Sequence, residues 1–131
     1  MVLIVCLDDN NGMAFNNRRQ SRDAAIINDM VQYVAPNAIS VEPYSAELFS
    51  NYPVVVEDML TDKNGVRFVE RDMISECDFV IDKLIVYRWN RRYPSDLLFP
   101  FEKTVTNMIL QERMDFAGSS HDRITREVYV L

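Results

Sequence analysis

Acids, amides and guanidinium groups follow the first apolar segment of the chain, Val2–Leu7. They occupy a loop and the start of a predicted helix, which is how an α/β domain commonly presents a ligand-binding site. We therefore treat them as the candidate ligand-binding residues. They are Asp8, Asp9, Asn11, Arg18, Arg19, Gln20, Arg22 and Asp23. Their chemistry suits a small anionic or heterocyclic ligand, but it assigns no catalytic residue.

Arginine supplies eleven of the fourteen positive charges, although the formal net charge is −6. Six arginines form two groups, Arg18, Arg19 and Arg22, and then Arg88, Arg91 and Arg92. The planar guanidinium fork binds carboxylates and phosphates better than lysine does. The groups either bind a small anion or pair with acids, within the chain or across a homodimer interface. The acidic balance argues against a general nucleic-acid-binding protein, which needs a broad basic face.

The adjacent acids Asp8 and Asp9 could bind Mg²⁺ or act as a base at the end of the first strand. Neighbouring side chains on a strand point to opposite sides, so at most one of the two faces a given cleft. A turn stabilised by Asx hydrogen bonds is the favoured interpretation. The sequence thus predicts no metal site.

A secondary set of candidates lies in the C-terminal half of the chain. It comprises Arg88, Trp89, Arg91, Arg92, Ser119, Ser120 and His121. His121 beside two serines suggests a nucleophile with its base, but neighbours on one loop rarely reach triad geometry, and only Asp122 offers an adjacent orienting acid. An exposed loop histidine is favoured. Trp89 either stacks on a planar ligand or packs in the core.

Hydrophobic spacing predicts the elements that position these residues. Val2–Leu7 is apolar on both faces and should be a central strand, and a helix should run from an N-cap at Ser21 through Tyr33 until Pro36. The further predictions are strands at 38–41, 53–56, 66–70 and 83–89, a brief helix capped by Ser45, an Asn-Gly hairpin turn at 63–65, and two long antiparallel strands at 104–113 and 124–131.

These elements predict one α/β domain over residues 1–131. Its mixed sheet of about six to eight strands should be mainly parallel at the core, with a C-terminal antiparallel ribbon. The chain lacks an apolar run of the roughly 20 residues that a membrane span needs, and its apolar start is too short for a signal peptide. Cys6 and Cys77 are far apart and indicate free thiols. We therefore expect a cytoplasmic protein without membrane contacts.

Two segments of the chain resemble segments of a known family and occur in the same order as they do there. Val5–Met13 resembles the opening strand and glycine-containing loop of dihydrofolate reductases, and Tyr93-Pro94-x-Asp96-x-x-Phe99-Pro100 resembles that family's C-terminal pattern. The resemblance implies a dihydrofolate reductase-like fold. It also implies a catalytic carboxylate near Asp23, if about two residues are deleted from the family pattern.

The chain departs from this family at the cofactor. The paired glycines that admit the NADPH diphosphate are missing, because the three glycines (Gly12, Gly65 and Gly118) are all isolated. Without glycine a backbone cannot approach a diphosphate so closely. We therefore expect no cofactor and no reductase activity. The predicted function is binding of a small anionic or heterocyclic ligand, and the alternative is an interaction protein or homodimer that uses its arginine clusters.

Three blocks resemble a group of small bacterial proteins, some of which carry an automatic ribonuclease Z label. These blocks are 18–23, 87–91 and 116–121. Ribonuclease Z enzymes hold two zinc ions with a histidine-rich set of ligands, whereas His121 is the one histidine of this chain. One histidine cannot supply two such sites, so this activity is excluded.

Overall fold

The computed structural model describes residues 1–71 and 80–131. The strands of this part are β1 (Val2–Leu7), β2 (Gly12–Phe15), β3 (Arg18–Arg19), β4 (Ile39–Val41), β5 (Val54–Val56), β6 (Val66–Val69), β7 (Lys83–Arg88), β8 (Leu97–Leu98), β9 (Ile109–Phe116) and β10 (Ile124–Val130). The helices are α1 (Ala24–Val34), α2 (Pro43–Ala46), which continues as a 3₁₀ turn over Glu47–Phe49, and α3 (Phe101–Val105).

Seven strands form one sheet in the order β5-β4-β6-β1-β7-β10-β9. From β5 to β7 all neighbours are parallel, and β10 runs antiparallel to both β7 and β9. The mixed α/β fold, its parallel centre and its C-terminal antiparallel ribbon are therefore confirmed. The prediction for Val2–Leu7 is also confirmed, because β1 lies in the middle of the sheet.

The strong apolarity of β1 is explained by cores on both faces of the sheet. Ile4 packs with α1 and with the aromatic residues Tyr87 and Trp89 on one face, whereas Leu3 and Val5 pack on the other. Alternate side chains of a strand point to opposite faces, so a strand buried on both sides must be apolar throughout. Trp89 is 5% exposed, which makes it a core residue and not an open stacking surface.

The polar loop after β1 is more ordered than its sequence predicts. β2 and β3 form a hairpin, and β2 also pairs with β8 to give a separate three-stranded sheet. Asn16 and Asn17 make the hairpin turn with positive φ angles of 56° and 61°. Asparagine tolerates this left-handed conformation, which two-residue hairpin turns favour. The hairpin fixes the directions in which Arg18 and Arg19 leave the backbone.

Two predicted helix caps are wrong. α1 begins at Ala24, and its N-cap is Asp23, whose side chain accepts a hydrogen bond from the N–H of Ala25. The predicted cap Ser21 lies before the helix. α2 begins after Glu42, and Ser45 lies inside it, where its hydroxyl donates to Glu70. In both cases a tertiary contact of the serine replaced the local capping role.

Two strand predictions also need correction. The Asn-Gly turn at 63–65 does not join a hairpin, because β4 lies between β5 and β6 and all three strands are parallel. The strand predicted from Thr104 begins at Ile109, since the end of α3 and the turn that follows it occupy residues 104–107. The Thr104 hydroxyl donates to the carbonyl of Pro100 and supports that short helix.

Cys6 is the cysteine within the described part of the chain. Cys6 is free, and burial of its thiol, together with the negative charges of Glu70 and Asp23, raises its pKa. Cys77 lies outside the described residues. Within the described part of the chain, no helix combines the length and apolarity needed to cross a membrane.

Candidate functional site

Asp8 organises the loop that follows β1. It is fully buried and accepts hydrogen bonds from the N–H groups of Asn10 and Gly12 at 2.8 Å, and from Tyr93 N–H and the Gln20 side chain at 3.2 Å. Burial opposes ionisation, but these hydrogen bonds outweigh it and lower the pKa of the Asp8 carboxyl. Asp8 thus stabilises the turn, as the Asx interpretation predicted, while its neighbour Asp9 is exposed.

Asn11 is held from the C-terminal half of the chain. The Arg88 guanidinium donates to its side-chain oxygen at 2.6 Å and to the carbonyl of Asp8 at 3.3 Å. Arg88 also pairs with Glu127 and lies over the ring of Phe101. Arg88 is therefore a structural residue that connects the turn to β10.

Arg19 points away from the Asp8 turn. It pairs with Glu70 at 2.8 Å and with Glu47 at 2.9 Å, and its guanidinium lies 4.3 Å from the ring centre of Tyr44. Glu70 also accepts the Ser45 hydroxyl at 2.7 Å. The donors of Arg19 are committed to acids of the same chain, so the internal-pairing interpretation fits this residue.

The Asp23 carboxylate is enclosed by the loop between β9 and β10. One oxygen accepts from Ala25 N–H and from both the N–H and hydroxyl of Ser119, and the other accepts from the N–H and hydroxyl of Ser120 and from His121 Nδ1. These contacts are 2.8–3.2 Å long, and the Asp23 side chain has no exposed surface. Burial opposes ionisation, but the donors outweigh it and hold the pKa of Asp23 well below its usual range.

Gly118 is what allows this loop to approach so closely. A Cβ atom at this position would lie 2.5 Å from an Asp23 carboxylate oxygen and 2.7 Å from the His121 carbonyl oxygen. Real Cβ atoms do not come this close to backbone or carboxylate atoms, so the loop needs glycine here. The single glycine of the loop thus serves the enclosure of Asp23.

His121 is buried, which corrects the prediction of an exposed loop histidine. Its side chain is 3% exposed, and its ring lies 4.8 Å from that of Trp89. Nδ1 lies 2.9 Å from Asp23, while Nε2 lies 2.8 Å from the Tyr93 hydroxyl and 3.2 Å from the Ser21 hydroxyl. The orienting acid is therefore Asp23, from a distant part of the chain, and not the neighbouring Asp122.

A narrow cleft between α1 and the sheet opens beside this network. Ser21, Arg22 and Asp23 line it on one side, and Cys6, Phe68 and Trp89 line it on the other. Its free volume is about 10 Å³, which admits roughly one water molecule. The cleft as it stands holds no room for a large planar ligand, so ligand contacts must lie at its mouth or follow an opening of the loop.

Four candidate arginines are exposed. They are Arg18, Arg22, Arg91 and Arg92. Arg91 lies over the ring of Tyr93 at 5.4 Å, and none of the four forms an ion pair with another described residue. Of these, Arg22 lines the cleft. No three described His, Cys, Asp or Glu residues are grouped so that they could hold a metal ion.

The candidate residues that precede α1 therefore reach three different parts of the structure. Gln20 reaches the Asp8 turn, Arg19 reaches Glu70, and Asp23 reaches the serines and histidine of the β9–β10 loop. The sequence pattern singled out the serines and the histidine but did not join them to Asp23, and it left Tyr93 out of the site. No local signal could have made that connection, because about a hundred residues separate His121 from Ser21.

The comparisons with known proteins define the fold. No family model and no curated protein sequence matches the chain. Dihydrofolate reductase from Enterococcus faecalis, solved in complex with NADP(H) and RAB-propyl, superposes with a TM-score of 0.68 at 11% sequence identity. The match covers 98% of this chain and 94% of that chain. The protein thus has a dihydrofolate reductase-like fold, and at this identity the likeness concerns the fold alone.

Proposed function

We propose that the protein binds a small anionic or heterocyclic ligand at the mouth of the cleft and has no dihydrofolate reductase activity. The enclosed Asp23 carboxylate is the observation that carries this proposal. The family resemblance puts the catalytic carboxylate near this position, yet here both carboxylate oxygens are occupied by donors of the same chain. A carboxylate that is saturated and ionised offers neither a free acceptor nor a proton to a pterin ring.

The glycines support the same conclusion about NADPH. A Cβ atom at Gly12 would lie 2.6 Å from the Ser95 hydroxyl, and one at Gly118 would meet Asp23. At Gly65 it would lie 3.0 Å from the carbonyl oxygen of Asp62. Each glycine is thus packed against its own chain, and none leaves an open backbone for a diphosphate. In the part of the chain that the structure describes, the glycines therefore do not supply the open backbone that this cofactor would need.

Arg22 and the neighbouring Ser21 hydroxyl support an anionic ligand. Arg22 is exposed, lines the cleft and has no acidic partner among the described residues. Ser21 lines the same cleft, and its hydroxyl lies 3.4 Å from that of Tyr93. A guanidinium fork with neighbouring hydroxyl donors is the usual environment for a carboxylate or phosphate. The alternative, an interface built from the arginine clusters, remains a prediction, although Arg19 and Arg88 are already paired within the chain.

Thermal shifts test the binding proposal. We expect pyrophosphate, sulfate or a nucleotide to raise the unfolding midpoint, because a ligand that binds only the native state stabilises it. Arg22→Ala should remove the shift, and Arg113→Ala, which alters an exposed arginine of the distant strand β9, should retain it. A shift that survives in Arg22→Ala, or the absence of any shift with these anions and with folate, would contradict the proposed site. Arg19→Ala is unsuitable, because it also breaks the pair with Glu70.

An absorbance assay tests the expected absence of reductase activity directly. With dihydrofolate and NADPH present, the nicotinamide absorbance should decay no faster than in a buffer control. Turnover above that control, proportional to protein concentration, would show that the protein is a reductase despite the enclosed Asp23 and the packed glycines.

A further inference from the structure

A hydroxyl that lines the cleft, an imidazole and a carboxylate are joined by hydrogen bonds. The Ser21 hydroxyl lies 3.2 Å from His121 Nε2, and His121 Nδ1 lies 2.9 Å from Asp23. The histidine and the carboxylate are almost fully buried, while Ser21 is half-buried and lines the cleft. A serine nucleophile is recognised by two contacts. The serine hydroxyl contacts a general base, and the base contacts an acid that orients it.

The surroundings of Asp23 fix which imidazole nitrogen carries the proton. An ionised carboxylate only accepts hydrogen bonds, so Nδ1 must donate to it. In the neutral imidazole, Nε2 then has its lone pair directed at the hydroxyls of Ser21 and Tyr93. The acid is itself held by donors from Ser119 and Ser120 and cannot turn away. Nε2 is therefore poised to take a proton from a hydroxyl at the cleft.

We infer that Ser21 is a nucleophile, activated by His121, for carboxylic esters that carry an anionic group. This inference rests on the proposed ligand site, because Arg22 would receive the anionic group. The Ser21 oxygen forms a bond to the ester carbonyl carbon, and its proton moves to His121 Nε2. That proton then passes to the departing alkoxide as the ester bond breaks. Water, deprotonated by the same nitrogen, releases the acid and restores the serine.

Tyr93 modulates this arrangement. Its hydroxyl lies 2.8 Å from His121 Nε2 and 3.4 Å from the Ser21 oxygen. While Tyr93 donates to the histidine, it competes with Ser21 for the base. Once Tyr93 donates to Ser21 instead, it supports negative charge on the serine oxygen. Replacement of Tyr93 by Phe removes the competitor and leaves the serine as the hydroxyl partner of Nε2.

A fluorophosphonate probe tests the nucleophile directly. The serine oxygen displaces fluoride from phosphorus, and the hydroxyl proton goes to His121, so intact-mass and peptide spectra should show one adduct, on Ser21. Ser21→Ala should give none, and His121→Gln should label about 100-fold more slowly. Tyr93→Phe should retain labelling at Ser21, and Ser50→Ala, at an exposed serine outside the site, should label as the wild type does. An unlabelled protein, or an adduct on another residue, would overturn the inference.

Ester hydrolysis then tests the role of Arg22 and separates the two proposals. We expect p-nitrophenyl hemisuccinate to be hydrolysed about tenfold faster than p-nitrophenyl butyrate, and Arg22→Ala to abolish this preference. Equal rates for the two esters would contradict the substrate class. If His121→Gln fails to fold, as shown by its thermal midpoint, Ser21→Ala and Tyr93→Phe still decide the outcome. An anion-induced thermal shift without labelling would overturn the nucleophile and leave the binding proposal intact. Labelling without any shift would overturn the binding proposal, and with it the preference for anionic esters, and would leave Ser21 as a nucleophile of another substrate class.

Discussion

Asp23→Asn is expected to lower the free energy of unfolding by about 3–5 kcal/mol, because several buried N–H and O–H donors would lose their ionised acceptor. Both carboxylate oxygens accept three hydrogen bonds each, so an amide nitrogen in either orientation would face N–H and O–H donors. Urea denaturation of the variant and the wild type measures the difference. Asp122→Asn, at an exposed neighbouring acid, is the matched control and should change stability by less than about 0.5 kcal/mol.

The pH dependence of the free energy of unfolding provides a second test of Asp23. The folded-state pKa of Asp23 is depressed, so its contribution is complete above the ordinary carboxyl pKa of about 4 and is lost as the pH falls toward the lower folded-state value. The stability difference between wild type and Asp23→Asn should therefore shrink below about pH 4. A difference that stays constant down to pH 2.5 while the protein remains folded would show that Asp23 is not held as an ion.

Arg126→Met is expected to produce the second large loss, about 2–4 kcal/mol. Arg126 pairs with Asp29 at 2.7 Å and with Glu112 at 2.8 Å, and its guanidinium lies 4.2 Å from the ring centre of Tyr33. The arginine side chain is 7% exposed, whereas those of Asp29 and Glu112 are 25% and 38% exposed. The partial contact of the acids with water places the effect below that of a fully buried pair.

The control for this variant lies on the neighbouring strand. Arg113 is 58% exposed and contacts Glu127 at 3.3 Å, so Arg113→Met should change the free energy of unfolding by less than about 1 kcal/mol. Equal losses for Arg113→Met and Arg126→Met in urea denaturation would show that the Arg126 pairs stabilise no more than surface pairs do.

Periodicity and apolarity were sufficient to predict the large sheet, but not the small sheet of β2, β3 and β8. The continuous apolarity of Val2–Leu7 predicted a strand buried on both faces, and the parallel core with its antiparallel ribbon followed from the order of strands and helices. Local signals failed where a side chain has a distant partner. Ser45 looks like a cap but donates to Glu70, and the Asn-Gly turn looks like a hairpin although β4 lies between the strands it joins.

The sequence singled out residues of the candidate site but not the contacts between them. Asp23, Ser119 and His121 were each singled out from the sequence, and the structure brings them together. Their contact depends on how β10 and its loop fold over the start of α1, which residue spacing along the chain does not encode. For Arg19 the sequence was misleading. Its guanidinium group suits an external anion, but it is already paired with Glu70 and Glu47.

Asp23 orients His121 so that the Nε2 lone pair faces the hydroxyls of Ser21 and Tyr93. His121 is the one histidine of the chain, so long-range proton–nitrogen NMR gives a single set of imidazole signals. At alkaline pH we expect Nδ1 to be protonated and Nε2 to be unprotonated, and Asp23→Asn to change this pattern. Protonation at Nε2, or the averaged signals of a freely exchanging imidazole in the wild type, would contradict the account.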